Sequence, residues 1–319
     1  MVEKLVTVFG GSGFVGRHVV RALAKSGYRI RVAVRYPAQA YFLQPLGDVG
    51  QIAILKCDIC SEQQVLPLVV NADAVVNLVG ILQPGGGQNF DDVHAEGARI
   101  IASAAAKAGV KKLVHISAIG AAADAKANYA RSKAAGEAAV REAFAGATIL
   151  RPSIIFGAED HFFNRFAALM RLARVAFPVF GGGKTKFQPV YVGDVADAVA
   201  KALTSESSAG KTYELGGPGI YSFKNLLRFI AKTTERKPMF VSIPFWLLDI
   251  GALLTGWLPG APITYDQAKL LRADNVVTKQ SGVGTLADLG IAPTAVEAVV
   301  PSYLWTFRPT GQYAEARGG

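Results

Sequence analysis

The 319-residue chain is 51% hydrophobic and 18% charged, which excludes a disordered protein and predicts a globular one with much buried sheet. Its formal net charge of +10 suits phosphate ligands, nucleic acid, anionic lipid or an acidic partner, without choosing among them. A strand-like run follows Met1 so closely that no cleavable targeting segment fits before it, and we expect a cytoplasmic protein.

Apolar strand-like runs alternate with helical patterns through the first half of the chain. We predict strands at Leu5–Phe9, Ile30–Val34, Ile52–Lys56, Ala74–Leu78, Leu113–Ser117 and Thr148–Arg151. We predict helices at Phe14–Lys25, Gln64–Val70, Asp91–Ala108 and Asn128–Ala143. Because near-continuous apolar strands that alternate with helices form parallel sheets covered on both faces, the pattern predicts an α/β fold with a doubly wound parallel sheet.

The second half of the chain contains fewer strand signals. Three elements are expected to rejoin the sheet: a strand at Lys186–Val192, a helix at Asp194–Leu203 and a strand at Thr212–Leu215. These elements predict a nucleotide-binding domain over residues 1–155, rejoined by about 184–216, a smaller α-rich lobe over 156–183 and 217–307, and a loose tail at 308–319.

The first strand stops at a glycine-rich turn, and an amphipathic helix begins at once. Gly10, Gly13 and Gly16 let the backbone approach a pyrophosphate, and the helix N-terminus directs amide hydrogens and a partial positive charge at it. A glycine triplet between a strand and a helix therefore predicts a dinucleotide site. The remaining predicted contacts in this turn are Ser12, Phe14, Val15 and Arg17.

The end of the second strand selects the cofactor. An NAD site would place Asp or Glu here to accept hydrogen bonds from the ribose 2′-hydroxyl, but this strand ends in Val34 and Arg35. A guanidinium binds a 2′-phosphate through charge-assisted hydrogen bonds, and Arg17 adds a second positive charge, so we predict NADP(H). Asp58 is placed to meet the adenine amino group, and the fourth strand brings Asn77, Val79 and Gly80 past the ribose.

A serine, a tyrosine and a lysine form the candidate catalytic set. Ser117 closes a strand, and Tyr129 and Lys133 are four residues apart on a predicted helix, so they share a face. The ammonium of Lys133 is expected to lower the phenol pKa and to hold the nicotinamide ribose. Ser117 would polarise a carbonyl, and Tyr129 would exchange the proton that accompanies hydride transfer.

Other classes of site are not expected. Cys57 and Cys60 form a CxxC pair, but the four histidines show no ligand spacing, so we predict two reduced thiols and no metal site. The basic residues do not interleave with aromatic residues, and no helix–turn–helix or zinc signature occurs, so we predict no nucleic-acid binding.

The glycine spacing and the serine, tyrosine and lysine together resemble the extended short-chain dehydrogenase/reductase superfamily, over nearly the whole chain. The segment Arg151–Gly157 is similar to an RPxxxxG motif of that superfamily, and Pro189–Ala196 to the hinge before its substrate lobe. The resemblance implies a Rossmann fold and contacts between nicotinamide and the backbone of Pro152, Ser153, Ile154 and Ile155.

A narrower group of atypical members shares longer strings with this chain, at Tyr129–Glu137, Phe156–Phe166 and Lys186–Val195. This group is the nucleotide-binding accessory subunit of respiratory complex I (the alpha-subcomplex subunit nine) and its bacterial relatives. The resemblance implies a structural NADPH and docking on complex I subunits at the cytoplasmic face of the inner membrane. The intact Ser117, Tyr129 and Lys133 keep a second hypothesis open, a stand-alone NADP-dependent reductase, epimerase or dehydratase.

The segment Ser222–Pro259 is the candidate for contact with a membrane or partner. A helix at Ser222–Lys237 places Lys224, Arg228, Lys232 and Arg236 in a cationic stripe, opposite an apolar face. The apolar run Pro244–Pro259 is interrupted by Asp249 and too short to span a bilayer, but Trp246 and Trp257 suit an interface with anionic lipid. The alternative is that this run packs against the nucleotide domain and the stripe is solvated.

Overall fold

Residues 4–173, 175–255, 264–278, 280–309 and 311 are described by the computed structural model, with backbone alone for 251–255. The chain divides into two units. The first contains Met1–Pro152, Val192–Leu215 and Thr278–Ala292, and the second contains Ser153–Tyr191, Gly216–Val277 and Pro293–Gly319.

The regular elements follow in chain order. The strands are β1 (Leu5–Phe9), β2 (Arg29–Val34), β3 (Ile52–Lys56), β4 (Ala74–Asn77), β5 (Lys112–Ile116), β6 (Thr148–Pro152), β7 (Ile155–Phe156), β8 (Ala176–Phe180), β9 (Lys186–Phe187), β10 (Val190–Tyr191), β11 (Thr212–Leu215), β12 (Tyr221–Ser222), β13 (Met239–Ile243) and β14 (Val283–Gly284). The helices are α1 (Phe14–Lys25), α2 (Glu62–Val69), α3 (Gly97–Lys107), α4 (Asn128–Ala143), α5 (Phe163–Leu172), α6 (Val192–Thr204), α7 (Phe223–Thr233), α8 (Phe245–Thr255), α9 (Tyr265–Leu270), α10 (Val296–Val299) and α11 (Pro301–Leu304).

The first unit contains a parallel sheet of eight described strands in the order β14-β11-β6-β5-β4-β1-β2-β3. The doubly wound sheet predicted from the sequence is confirmed. Because the chain winds from β1 towards β3 on one side and from β4 towards β6 on the other, the loops after β1 and β4 lie at the switch point of the sheet. Ligands of such sheets bind there.

Hydrophobic burial explains why these segments form this sheet. Val6, Val8 and Phe9 of β1 are completely buried, as expected for a central parallel strand covered on both faces. The helix α1 buries Val19 and Leu23 on one face, at the spacing that a helical period of 3.6 residues requires. The predicted bounds of α1 and α4 are confirmed, since each sequence pattern was local and uninterrupted.

The predicted helix near Asp91–Ala108 is present, and its first part, Asp91–Glu96, is π-helical and continues directly into α3. One prediction about the elements is wrong. The predicted strand at Lys186–Val192 does not rejoin the main sheet, because β9 pairs with β12 and β10 pairs with β7. Pro189, which has no N–H to donate to a strand ladder, lies between the two short strands.

One strand of the main sheet was not predicted from the sequence. The strand β14 pairs with β11 at the edge of the main sheet. Because β14 is only two residues long, it is too short to show the alternating hydrophobic pattern that predicts a strand.

The second unit is built on an aromatic core. The core includes Phe156, Phe163, Phe166, Phe177, Phe187 and Phe223, several of which meet edge to face. The predicted amphipathic helix is α7, whose N-cap is Ser222 and whose residues Leu226, Leu227 and Ile230 are completely buried. It ends at Thr233, earlier than the predicted Lys237, just before Glu235 with its left-handed φ of 54°. Within the described ranges, no helix is both long and apolar enough to cross a bilayer.

Candidate functional site

The turn between β1 and α1 has the backbone geometry of an anion cradle. Gly10 has a φ of 79°, in the left-handed region that glycine tolerates, and its carbonyl accepts the Gly13 amide at 3.1 Å. A Cβ added to Gly16 would lie only 2.3 Å from the Gly10 oxygen, so only glycine lets α1 approach β1 this closely. The N-cap is Gly13, which has no side chain to cap the amides of Phe14 and Val15. The start of α1 therefore fits a pyrophosphate.

Two arginines lie near the adenosine end expected for this site. Arg35 follows β2 and is exposed, with its guanidinium carbon 5.7 Å from the ring centre of Tyr36. Arg17 lies in the second turn of α1, directly after Gly16. Residues 29–47 contain no Asp or Glu. The two guanidinium groups suit a phosphate ligand, which accepts charge-assisted hydrogen bonds from arginine.

The other predicted cofactor contacts lie at the ends of β3 and β4. Asp58 is exposed, and its carboxylate accepts the Cys60 amide at 3.0 Å. Asn77 is 1% exposed, and its side-chain oxygen accepts the Val79 amide at 3.0 Å, which shapes the turn after β4. A Cβ on Gly80 would lie 3.0 Å from Lys133 Nζ, so a larger residue at this position would have to displace the end of the lysine side chain.

Ser117 and the ammonium of Lys133 both lie at the end of β5. The Ser117 amide donates to the Leu150 carbonyl at 2.7 Å, and its buried hydroxyl has no hydrogen-bond partner among the described residues. Lys133 is 4% exposed, and its ammonium donates to the carbonyl of Ile116, the residue before Ser117, at 3.2 Å. Tyr129 lies one helical turn before Lys133 on α4 and is partly buried. A buried hydroxyl without a partner beside a lysine is available to a ligand oxygen.

Burial dominates the electrostatics of this cluster. Desolvation lowers the pKa of Lys133 to about 8, although the carboxylate of Glu137 opposes this shift. Desolvation raises the pKa of Tyr129 to about 12. This shift is opposite in direction to the lowering expected from Lys133, and its cause is the loss of water around the phenol.

Sequence reasoning missed His94, which contacts three parts of the site. Its Nε2 accepts the Ile81 amide at 3.0 Å, and its Nδ1 lies 2.8 Å from the Ser132 hydroxyl. Its ring lies edge-on to Tyr129, with ring centres 5.5 Å apart. Burial and Lys133 lower the pKa of His94 to about 3, so the neutral ring carries its proton on Nδ1 and donates it to Ser132. A single histidine within a helical pattern does not indicate a functional residue, so the sequence did not predict these contacts.

A second histidine lies behind Ser117. His115 is two residues earlier on β5 and is completely buried, and neither ring nitrogen has a hydrogen-bond partner among the described residues. Burial, Lys133 and His94 lower its pKa to about 3. At neutral pH both histidines are therefore uncharged, and Lys133 carries the positive charge of this cluster.

The residues after β6 are held by a contact that the sequence did not show. The Ser153 hydroxyl donates to the side-chain oxygen of Asn275 at 2.6 Å, and the Ile154 amide donates to the same oxygen at 3.1 Å. Ile155 begins β7, and Pro152 ends β6. Their contacts with nicotinamide remain a prediction.

The Phe156–Phe166 string shapes the second unit. The Asp160 carboxylate caps α5 by accepting the Phe163 amide at 2.6 Å and the Asn164 amide at 3.2 Å. It also accepts the Tyr303 hydroxyl. The contacts of Asp160 thus give the Phe156–Phe166 string a role in folding of the second unit.

The predicted cationic stripe is only partly on α7. Arg228 and Lys232 lie on this helix and are exposed, whereas Arg236 lies beyond its end and donates to the Phe307 carbonyl at 3.0 Å. A cavity of about 440 Å³ is lined by Arg228, Ala231, Lys232, Glu235, Arg236, Lys237 and Phe240. Trp246 is 60% exposed, and Leu247 and Ile250 are exposed as well, while Trp257 lies outside the described residues.

The chain is similar to known proteins in family, sequence and structure. A model of the NAD dependent epimerase/dehydratase family matches residues 6–216. The Rattus norvegicus protein named NADH dehydrogenase (ubiquinone) 1 alpha subcomplex subunit 9, mitochondrial, is 34% identical over 295 residues, covering 92% of this chain and 78% of its own. A Caulobacter vibrioides protein named ceramide reductase is 30% identical over 257 residues, covering 79% of this chain and 78% of its own.

Among solved structures, the NADPH-dependent quinone oxidoreductase QOR2 of Escherichia coli, complexed with NADPH, matches with a TM-score of 0.72. The match covers 94% of this chain and 99% of that one at 19% sequence identity, so it shows the fold alone. Together these similarities confirm the family resemblance expected from the sequence.

The buried Lys133 generates a prediction about stability. Its pKa of about 8 lies below the ordinary 10.5, so the unfolded chain binds more protons between these values and stability rises with pH across that window. Below pH 8 the buried charge destabilises the fold by up to about 3 kcal/mol. We expect Lys133→Met to raise the free energy of unfolding at pH 7 and to abolish this rise, as measured by urea unfolding at several pH values.

The exposed Lys201 on α6 provides the control, because Lys201→Met removes a solvated charge. It should leave the pH dependence of unfolding unchanged. A Lys133→Met protein that is less stable at pH 7 and keeps the wild-type rise would show that burial of this charge costs nothing.

Proposed function

We propose that this chain, which belongs to the NAD dependent epimerase/dehydratase family, holds NADP(H) as an accessory subunit of a membrane-bound NADH:ubiquinone oxidoreductase. The observation that carries the proposal is the 34% identity, over 92% of this chain, to a protein named as a subunit of NADH dehydrogenase (ubiquinone). We place the protein at the cytoplasmic face of the inner membrane, docked on other subunits. Bound cofactor would stabilise the fold by mass action.

The residues present fit a dinucleotide. The amides after Gly10 and Gly13 would hold the pyrophosphate, and Arg35 with Arg17 would hold a 2′-phosphate. Tyr129 and Lys133 would hold the nicotinamide ribose. A bound nicotinamide supplies hydride chemistry, whereas the proposed accessory role needs only that it remain bound.

A second candidate function is a stand-alone NADP-dependent carbonyl reductase. It is favoured by the buried Ser117 hydroxyl, which has no partner among the described residues, and by the similarity to a protein named ceramide reductase. Ser117 would donate to a substrate carbonyl, and Tyr129 would protonate the reduced oxygen, with Lys133 adjacent. Both candidates use the same residues.

Purification from the native membrane separates the two functions. The accessory role predicts comigration with complex I and retention of NADPH through the preparation. The reductase predicts migration apart from complex I and NADPH oxidation with a carbonyl substrate, lost in Tyr129→Phe. Comigration without any bound nicotinamide dinucleotide would contradict the proposed role of the cofactor.

We further propose that the α7 stripe and the exposed residues around Trp246 contact anionic lipid. Arg228 and Lys232 are solvated cations, and Trp246, Leu247 and Ile250 are exposed apolar side chains in the same unit. This combination suits a headgroup layer, where each nearby cation contributes about 1 kcal/mol.

The cofactor preference is tested with Arg35→Asp. A carboxylate at the end of β2 repels a 2′-phosphate, so we expect NADPH binding to weaken by about tenfold or more and NADH binding to change little. Calorimetric titration with each cofactor measures both affinities. Arg21→Asp, which makes the same charge change at an exposed position of α1, is the control. Equal weakening of both cofactors by Arg35→Asp would refute the preference.

The lipid proposal is tested by flotation with cardiolipin-containing vesicles at physiological salt. We expect the wild-type protein to float and the double variant Arg228→Glu, Lys232→Glu to lose most of its binding, because two attractive charges become repulsive. The double variant Lys111→Glu, Lys201→Glu makes the same charge change at exposed positions of the first unit and should float normally. Absence of wild-type flotation would make the lipid proposal wrong, while docking on complex I is judged separately by copurification.

A further inference from the structure

An aromatic ring supports Arg17. The guanidinium carbon of Arg17 lies 4.9 Å from the ring centre of Phe42, within the range of a cation–π interaction. Phe42 is on a short 3-10 turn, Tyr41–Leu46, and remains 44% exposed. An exposed phenylalanine stacked on a cation is not explained by core packing alone.

A second arginine lies against an aromatic ring in the segment between β2 and this turn. The guanidinium of Arg35 lies 5.7 Å from the ring centre of Tyr36, which is 62% exposed. Both stacked arginines belong to the first unit, Arg17 on α1 and Arg35 directly after β2. Residues 29–47 contain three arginines and no acidic residue.

We propose that Phe42 is a specificity-determining residue, which holds the Arg17 guanidinium for the 2′-phosphate of NADP(H). This inference rests on the NADP(H) preference proposed above. Stacking occupies the face of the guanidinium, whereas its N–H donors lie in the plane of the group. The ring can therefore support Arg17 while those donors bind phosphate oxygens.

The benefit of the stack applies only to a ligand that Arg17 binds. A long arginine side chain loses rotamer freedom when it grips a ligand, and a side chain already held loses less. NADPH gains from that preorganisation through its 2′-phosphate. NADH has only a hydroxyl at this position, so removal of the ring should alter the ratio of the two affinities.

The experiment compares three variants by calorimetric titration of the purified protein with NADPH and NADH at fixed salt. Phe42→Leu keeps the apolar bulk but removes the π face, and we expect it to weaken NADPH binding by about threefold to tenfold. The affinity for NADH should change by less than about twofold. Phe42→Tyr keeps the ring and should retain wild-type affinity for NADPH. Tyr41→Leu, the neighbouring exposed aromatic, should leave both affinities unchanged.

Two results would overturn the inference. One is an equal weakening of NADPH and NADH binding by Phe42→Leu, which would show that the ring acts only in folding. The other is a loss of NADPH affinity in Phe42→Tyr, although this variant keeps the ring. If Phe42→Leu binds both cofactors like the wild type while Arg35→Asp still loses NADPH selectively, the role of Phe42 is wrong and the cofactor preference stands. A wild-type protein that favours NADH would refute both.

Discussion

The contact between two stretches of backbone, where α1 begins and β1 ends, determines the position of the proposed cofactor site. The 2.3 Å that would separate a Gly16 Cβ from the Gly10 oxygen means that no other residue permits this approach. The same contact directs the first amides of α1 towards the switch point of the sheet. It also fixes the backbone position of Arg17, which follows Gly16 on this helix. Parallel pairing of β1 with β2 then brings the strand end before Arg35 to the same edge.

The neighbouring cluster combines features that do not favour stability. Lys133 is buried, and Glu137, the carboxylate that raises its pKa, is already bound by Arg151 at 2.8 and 2.6 Å. His94 and His115 stay neutral beside it. Sites that bind a ligand commonly retain groups that destabilise the fold, because the ligand supplies the missing partner. This imbalance supports a bound-ligand role for the cluster under either proposed function.

The strings that identify the narrower protein group do not distinguish those functions. Asp160 caps α5 and accepts the Tyr303 hydroxyl, so its string closes the second unit. A residue that acts in folding carries no information about the chemistry that the first unit performs. The choice between an accessory subunit and a reductase therefore depends on whether the cofactor turns over and on what the exposed α7 cations contact.

The sequence alone determined the features whose causes are local. The glycine turn, the limits of α1 and α4, and the shared face of Tyr129 and Lys133 follow from neighbours in the chain, which the helical period and glycine geometry make readable. Only the tertiary structure decided the edge strand β14, the separation of β9 and β10 from the main sheet, the contacts of His94 and the raised pKa of Tyr129. Each of these depends on segments distant in the chain, because strand pairing and desolvation are set by what packs nearby in space.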